Sequence, residues 1–579
     1  MSRLIIFSAD AMVGEDMEKL QRMPNFCRYL SGGSRVGAVR SVYPTITYPA
    51  HATIVTGVYP DKHGIPGNLD PRYMVDSQAP IPWLWEYGAM KAEDLFTAAK
   101  NAGKTTAAVF WPVTGNHPDI DWLIDEYWTQ GEEDSIPAAF ARMGSSPEVL
   151  EIVKKNQALL EGVERQHPAC DEFVVTCAAD ILKSFKPDLL MLHPANIDGA
   201  RHQKGLFHSD VDQAIADTDR WIGQLASAAI EAGVWEDTNF FLISDHGQLE
   251  IHRAVNLNVF LAEAGLLRIE GGRVTDWDAW CLSGGMSAMV FVKNPGVSEQ
   301  VYSLFCRLRD EGVWGIGEVF TAGEAAKHRY AGDFSFVLET DGYTSFGDGW
   351  KRPIVKPLDS RDYRLGFGTH GYLPEKGPQP ILAANGPDIA RGGWLAEASL
   401  IDEAPTFAYL LGTNLPSAEG RVLQELLKKP GEPQPRIKLR PVIRENVNDA
   451  LRLRVAPAQQ RFVVPNAVSL AQAYAFSEYT PWLAYDGDTP VGFCMEAFDK
   501  DEKTPSIRRL MVGQEYQGKG YGREMLSLLL QLIAVEYPGQ KVLISFTPEN
   551  AVARALCESM GFTSEDRYRK NEIVYSIIL

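Results

Sequence analysis

The chain has 579 residues, too many for one ordinary core, so two or more domains are expected. Apolar residues make up 45% and charged residues 23%, the balance of a soluble globular protein. A net charge of -19 argues against non-specific binding to nucleic acid or anionic membrane, which demands basic surface. It leaves small anionic substrates open, because bound metal ions reverse the local field.

In chain order, Leu4 to Ser8 reads as a first buried strand. Its apolar run is too short for a signal peptide. The segment PTITYPAHATIVTG follows, with Pro44 and Pro49 bracketing Thr47 and AHATIVTG opening a helix. Thr47 would then lie near a helix N-terminus, where backbone N–H groups favour phosphate; a plain capping threonine fits the same pattern. Residues 93 to 104 (EDLFTAAKNAGK) read as a helix capped by Gly103, and Thr105 to Trp111 as the next strand. Asp188 to His193 and Asn239 to Ser244 repeat that form. Apolar runs alternating with helices predict a parallel sheet covered on both faces. Such sheets bind ligands at the carboxyl ends of their strands. Asp10, Asp198 and Asp245 each follow such a run.

Six residues have the chemistry of metal ligands. Asp198 and His202 are four apart, a spacing that places both on one helical face. Asp245 and His246 fall at a strand end, and His370 sits in GFGTHGY, whose glycines allow close backbone approach. Each fragment alone reads equally as a satisfied polar group. With Asp10 they make three carboxylates and three imidazoles, a set suited to two zinc ions.

Seven dispersed cysteines (Cys27, Cys170, Cys177, Cys281, Cys306, Cys494, Cys557) form no CxxC pair. Their odd number fits a reduced setting, and no run of 18 apolar residues occurs, so a cytoplasmic location is expected. Residues 428 to 436 (KKPGEPQPR) read as a linker between domains at 1–427 and 437–579. Beyond it come strand-like IKLRP, helix-like ENVNDALRLRV and a hairpin turning at Asp486–Gly487. A strand then runs into Gln517-Gly518-Lys519-Gly520-Tyr521-Gly522 and a long helix. Glycines before a helix can cradle a pyrophosphate on its positive end, or simply make a turn.

The segments FSADAM, PTITYPAHATIVTGVYPDKHGIPGN, DGARH, SDHG and GTHGY, in that order, resemble the nucleotide pyrophosphatase/phosphodiesterase branch of the alkaline phosphatase superfamily over residues 1 to 425. The resemblance implies an α/β, alkaline-phosphatase-like sandwich with a mainly parallel central sheet. It assigns Asp10, Asp245 and His246 to the zinc that activates Thr47 as nucleophile, and Asp198, His202 and His370 to the other zinc. Asn68 would contact a phosphoryl oxygen. No formylglycine context of a sulfatase is present, and a phosphomutase would carry serine at position 47. Threonine favours a phosphodiester, or a phosphonate of the phosphonoacetate kind. The family sandwiches a nucleotide base between two aromatic rings; Tyr48 stands at one of these positions and His193 at the other, in place of tyrosine. Gln248 replaces a common methionine and reads as neighbouring packing.

The Q-x-x-G-x-G loop, Asn550 through Phe562 (NAVARALCESMGF) and PNAVSLAQAY resemble GNAT N-acetyltransferases, the last in particular bacterial spermidine acetyltransferases. This implies an α+β domain binding acetyl-CoA through Met511, Val512, Gln517, Gly518, Lys519, Gly520, Tyr521, Gly522 and Asn550, with a polyamine or small amine as acceptor. Cys557 occupies the place of the usual tyrosine acid, either as a proton donor or as a small buried residue. The combined expectation is a bifunctional zinc phosphodiesterase and acetyltransferase. The alternatives are a phosphodiesterase with an acetyl-CoA-binding regulatory module, or a C–P hydrolase. No nucleic-acid or membrane partner is expected, and oligomeric state is not legible.

Overall fold

The computed structural model describes residues 2–73, 82–131, 133–429, 436–444, 446–537 and 539–579. The chain divides into two compact units, Gly33–Leu427 together with Met1–Tyr29, and Lys428–Leu579. Most of the proline-rich segment, residues 430–435, lies outside the described residues.

The first unit is built on an eight-stranded sheet. Its centre holds β1 (Arg3–Ser8), β3 (Thr106–Val109), β4 (Trp122–Ile124), β5 (Leu189–Leu192) and β6 (Thr238–Ile243). These five lie in the order β6-β1-β5-β3-β4, all parallel. Strand Leu382–Asn385 joins β6 and β2 (Ser34–Arg40) antiparallel to both, and Trp394–Ser399 closes the edge beside β2. The sheet is therefore mixed at one side and parallel where the apolar runs predicted it.

Alternation explains the burial. Leu4, Ile6, Leu189, Met191, Phe241 and Ile243 join one cluster with helices Thr47–Thr56, Leu95–Asn101 and Glu403–Leu411. Ile5, Phe7, Leu190, Leu192, Phe240 and Leu242 are equally buried on the other face, where helix Ala169–Phe185 lies against β3 and β5. A sheet buried on both faces has no polar side, which is why its strands read as unbroken apolar runs. A separate four-stranded antiparallel sheet (Ala279–Ser283, Ser287–Val292, Phe336–Thr340, Ile316–Thr321) carries its own core.

The second unit is a seven-stranded sheet with helices Asn466–Ala475, Tyr521–Glu536 and Ala551–Ser559. Its hairpin turns through Gly487 at φ +57°, joining Tyr479–Asp486 to Thr489–Asp499. Strands Thr504–Val512 and Lys541–Phe546 pair in parallel only at Ser506–Leu543 and Ile507–Ile544. Beyond that register they part, opening the sheet toward the glycine loop.

Candidate active site

The seven residues singled out in the first unit converge at the carboxyl ends of β1, β5 and β6. Asp10 follows β1 by two residues and Asp245 follows β6 by two. Ala11 is held at φ +58°, a costly conformation for alanine, and its N–H donates to Asp245 Oδ1 at 3.1 Å. The two strand ends are thereby locked together. Helix Asn196–Lys204 carries Asp198 and His202 on one face, with His202 Nε2 3.0 Å from Asp198 Oδ2. Arg201 anchors that helix by bonding Asp16 at 2.7 and 2.9 Å. The segment bearing His370 presses against the same helix. A Cβ on Gly366 would meet the His202 carbonyl at 2.2 Å, and one on Gly368 would meet Gln248 Oε1 at 2.7 Å. Only glycine permits that approach.

Two triads result. Asp10, Asp245 and His246 form one, and Asp198, His202 and His370 the other, each with ligand atoms within 4.8 Å of one another. The rings of His246 and His370 stack at 4.1 Å, so the triads adjoin. The donor chemistry fits divalent cations. His202 Nδ1 donates to the Gly368 carbonyl at 2.7 Å and His370 Nδ1 to the Thr45 carbonyl at 3.1 Å. Each bond fixes the tautomer and leaves Nε2 with a lone pair for a metal. Asp10 Oδ1 and Asp245 Oδ2 are buried without a hydrogen-bond donor among the described residues. Oxygens in that condition call for a cation.

The electrostatics agree. Burial, then the neighbouring Asp245 and Asp198, pushes the Asp10 carboxyl well up. Burial raises Asp245 to about 6. Asp198 is driven down: burial opposes ionisation, but His202 outweighs it. Burial lowers His246 to about 3 and His370 well below its usual range, so both rings are neutral and able to ligate.

Thr47 is the first residue of helix Thr47–Thr56, and its Oγ1 lies 3.2 Å from His246 Nε2. First-turn N–H groups have no partner inside a helix. Pro49 has none to lose, and that of Tyr48 donates to Asn68 Oδ1 at 3.0 Å. That bond orients Asn68 so that its NH₂ end is the one available to a ligand. Asn68 also lines a narrow cleft with Gly67, Met289 and Tyr363.

Three placements differ from the sequence reading. His193 does not flank a base: its Nε2 lies 3.0 Å from Asp10 Oδ2 and its ring packs on His51 at 4.2 Å. Following β5 directly, it is directed beneath the two triads and becomes a support for Asp10. Tyr48 is fully buried, with Trp83 edge-on at 5.3 Å, so half-buried Trp83 and Tyr363 are the rings nearer to solvent. Gln248 is more than packing, since its amide donates to both the carbonyl and the carboxylate of Asp198.

Sequence reasoning gave no role to His51, Tyr363, Glu126 or Arg165. His51 bonds Ser8 Oγ and the Thr47 carbonyl, both at 2.9 Å. Its position four residues after Thr47 was the available signal. Tyr363 lies 5.9 Å from the His202 ring and 6.1 Å from His370. Nothing in the local sequence marks it.

In the second unit, strand Thr504–Val512 ends at Met511 and Val512, and Gln517 Nε2 donates to the Val512 carbonyl at 3.0 Å. Gly518 and Gly520 take φ of +74° and +88°, leading into helix Tyr521–Glu536, which contains Tyr521 and Gly522. The Lys519 ammonium lies 5.7 Å over Tyr516. Asn550 caps the helix Ala551–Ser559 by accepting from Ala553 N at 3.1 Å. Cys557 is buried, and burial pushes its thiol up to about 12.

Comparison with known proteins accords with this arrangement. A family model described as type I phosphodiesterase/nucleotide pyrophosphatase matches residues 4–373, and one for the GNAT acetyltransferase family matches residues 453–562. Mouse ectonucleotide pyrophosphatase/phosphodiesterase family member 1 is 26% identical over 277 residues, which is 46% of this chain and 26% of that protein. Venom phosphodiesterase 2 of Crotalus adamanteus is 26% identical over 262 residues, 43% of this chain and 27% of that protein. The aligned part thus spans about a quarter of the length of these curated relatives. Human ectonucleotide pyrophosphatase/phosphodiesterase 5 superposes with a TM-score of 0.53 at 19% identity, covering 74% of this chain and all of that structure. An inactive murine form in complex with AMP gives 0.52. The fold is alkaline-phosphatase-like α/β with a C-terminal GNAT domain. The chain belongs to the type I phosphodiesterase/nucleotide pyrophosphatase family.

Among the described residues no helix is long and apolar enough to cross a membrane. None of the seven cysteines is in a disulfide.

Proposed function

We propose that the first unit hydrolyses phosphodiesters, nucleotide diesters and pyrophosphates included, with Thr47 as nucleophile and two zinc ions as cofactors. The observation that carries this is the Thr47 hydroxyl, 3.2 Å from His246 Nε2, beside two adjoining triads of buried ligands. Asp10, Asp245 and His246 would hold one ion, and Asp198, His202 and His370 the other. When bound, the metals supply Lewis acidity, lowering the pKa of a coordinated hydroxyl or water and neutralising phosphoryl oxygens. Thr47 Oγ1 forms the bond to phosphorus as the bond to the leaving alcohol breaks, its proton passing to solvent and the alkoxide taking one up; water then attacks the phosphorus and frees Thr47. The start of its helix favours anionic oxygens through the dipole. The Asn68 amide donates to a non-bridging oxygen, because Tyr48 N–H already holds its carbonyl end. His193 supports Asp10, and Gln248 supports Asp198.

The second unit is proposed to bind acetyl-CoA at Met511, Val512, the loop Gln517–Gly522 and Asn550, and to acetylate a small amine. Buried Cys557, at the position of the usual acid, favours a second reading in which the unit binds acetyl-CoA without efficient transfer. Seven cysteines without a disulfide support an intracellular setting.

The test is hydrolysis of thymidine 5′-(4-nitrophenyl phosphate) by zinc-loaded protein, with phosphonoacetate alongside. Turnover of the diester alone is expected, with loss on Thr47→Ala. Cleavage of phosphonoacetate alone would transfer the site to C–P hydrolysis.

A further inference from the structure

Arg165 stands apart from the other arginines around the centre. Arg201 is paired with Asp16, and Arg364 with Asp348 and Asp362. Arg165 is exposed, and among the described residues it makes no ion pair. The adjacent Glu164 is turned away from it: its two oxygens accept from the backbone N and hydroxyl of Thr129 at 2.7 and 2.9 Å. Two indoles hold the Arg165 guanidinium in place: it lies 4.4 Å from the Trp128 ring and 5.4 Å from Trp83. The two rings, set edge-on to each other at 87°, offer cation–π contacts that leave the guanidinium N–H groups without a hydrogen-bond acceptor among the described residues and open to a bidentate oxyanion. The bracing also reduces the rotamer freedom a ligand would otherwise have to remove.

Its position connects it to the reaction centre. Trp83 touches Tyr48, the neighbour of Thr47, at 5.3 Å and Tyr363 at 5.7 Å. Tyr363 in turn faces His202 and His370. Arg165 therefore lies one indole ring beyond the groups that surround the reacting phosphorus. The other charged group nearby is Glu126, one of whose oxygens is buried without a partner. Burial pushes its carboxyl up to about 8 even though Arg165 draws it down, and among the described residues it forms no ion pair with Arg165.

We propose that Arg165, braced by Trp83 and Trp128, forms an anion subsite that takes a second phosphate of the substrate. The enzyme then prefers a phosphodiester bearing a further phosphate to the same diester without it. The inference rests on the phosphodiesterase reading above.

A matched pair of substrates tests it: thymidine 5′-(4-nitrophenyl phosphate) and its 3′-phosphorylated form, which differ by one phosphate. Bis(4-nitrophenyl) phosphate, with one charge, serves as the control. In the zinc-loaded protein, kcat/KM is expected to be about tenfold or more higher for the 3′-phosphorylated diester, the worth of one charge-assisted contact. Arg165→Gln should bring that ratio to about one, and Arg165→Lys should keep part of it. Both variants should hydrolyse bis(4-nitrophenyl) phosphate within about twofold of the parent. An equal fall on all three substrates would assign Arg165 a structural role, and a ratio unchanged in Arg165→Gln would remove the subsite; either overturns the proposal. Calorimetry with thymidine 3′,5′-bisphosphate and thymidine 5′-monophosphate gives a second readout without turnover. Tighter bisphosphate binding that vanishes in Arg165→Gln supports the subsite even if no diester is hydrolysed, and that failure would then fall on the phosphodiesterase reading alone.

Discussion

Removing the metals should expose a pH-dependent weakness located at Asp245. This carboxyl is fully buried, held by the Ala11 N–H, and raised to about 6 from an ordinary 3.8. A carboxyl whose folded pKa exceeds its unfolded value leaves the fold at full stability below the unfolded value. It withdraws stability as pH rises through the folded value. The gap of about two pH units corresponds to ~3 kcal/mol, lost between about pH 4 and pH 7. Zinc reverses the sign, because the ionised carboxylate becomes a ligand. At free zinc one hundredfold above Kd, each site adds about 2.7 kcal/mol. The assay is urea unfolding of chelated protein across that pH range, followed by tryptophan fluorescence. Of the thirteen tryptophans only Trp482 lies beyond residue 427, so the signal reports on the first unit. Asp245→Asn keeps the oxygen that accepts from Ala11 but cannot ionise. The parent should lose ~3 kcal/mol more than this variant as pH rises, and the difference should vanish when zinc is restored to the parent. Parallel curves for chelated parent and variant would refute the reasoning.

Further outcomes are expected elsewhere in the molecule. Thr47→Ala should reduce diester turnover by about 10⁴-fold or more while two zinc ions per chain remain by elemental analysis. Asn68→Ala should lower kcat by roughly 10²–10³-fold with little change in KM, read in steady-state kinetics. Glu403 is buried with neither oxygen bonded among the described residues, and burial holds its carboxyl well up. Glu403→Leu should therefore raise stability at pH 8 by about 1–3 kcal/mol, with a smaller gain at pH 5, by urea unfolding. Gly520 sits at φ +88° before the helix that faces the loop, so Gly520→Val should abolish acetyl-CoA binding in calorimetry. Cys557→Ala should leave that binding within about twofold.

Much of the architecture was legible because burial on two faces writes a simple pattern. Leu4 to Ser8, Asp188 to His193 and Asn239 to Ser244 each enclose an unbroken apolar run, and each run lies in a strand of the parallel centre. Leu382–Asn385 was less visible, because LAAN is short and weakly apolar and its antiparallel pairing with β2 and β6 depends on segments far away in the chain. The convergence of the candidate ligands was foreshadowed because carboxylates and imidazoles after strand ends have few structural uses. Their supports were not. Gln248 bonds Asp198 across 50 positions, and His193 bonds Asp10 across 183.

The sequence by itself determined the ingredients: strand-end carboxylates, an i,i+4 ligand pair, glycines around His370, and a glycine loop ahead of a helix. These depend on local geometry, where neighbours within a few residues set which way a side chain can go. Only the tertiary structure decided which side chains share a site and what stands behind or before them. It turned His193 from a ring for the substrate into a support for Asp10, buried Tyr48 beneath Trp83, and set Arg165 beyond Trp83 and Tyr363 from His202 and His370. Such contacts join residues on different strands and loops, and no local periodicity encodes the distance between them.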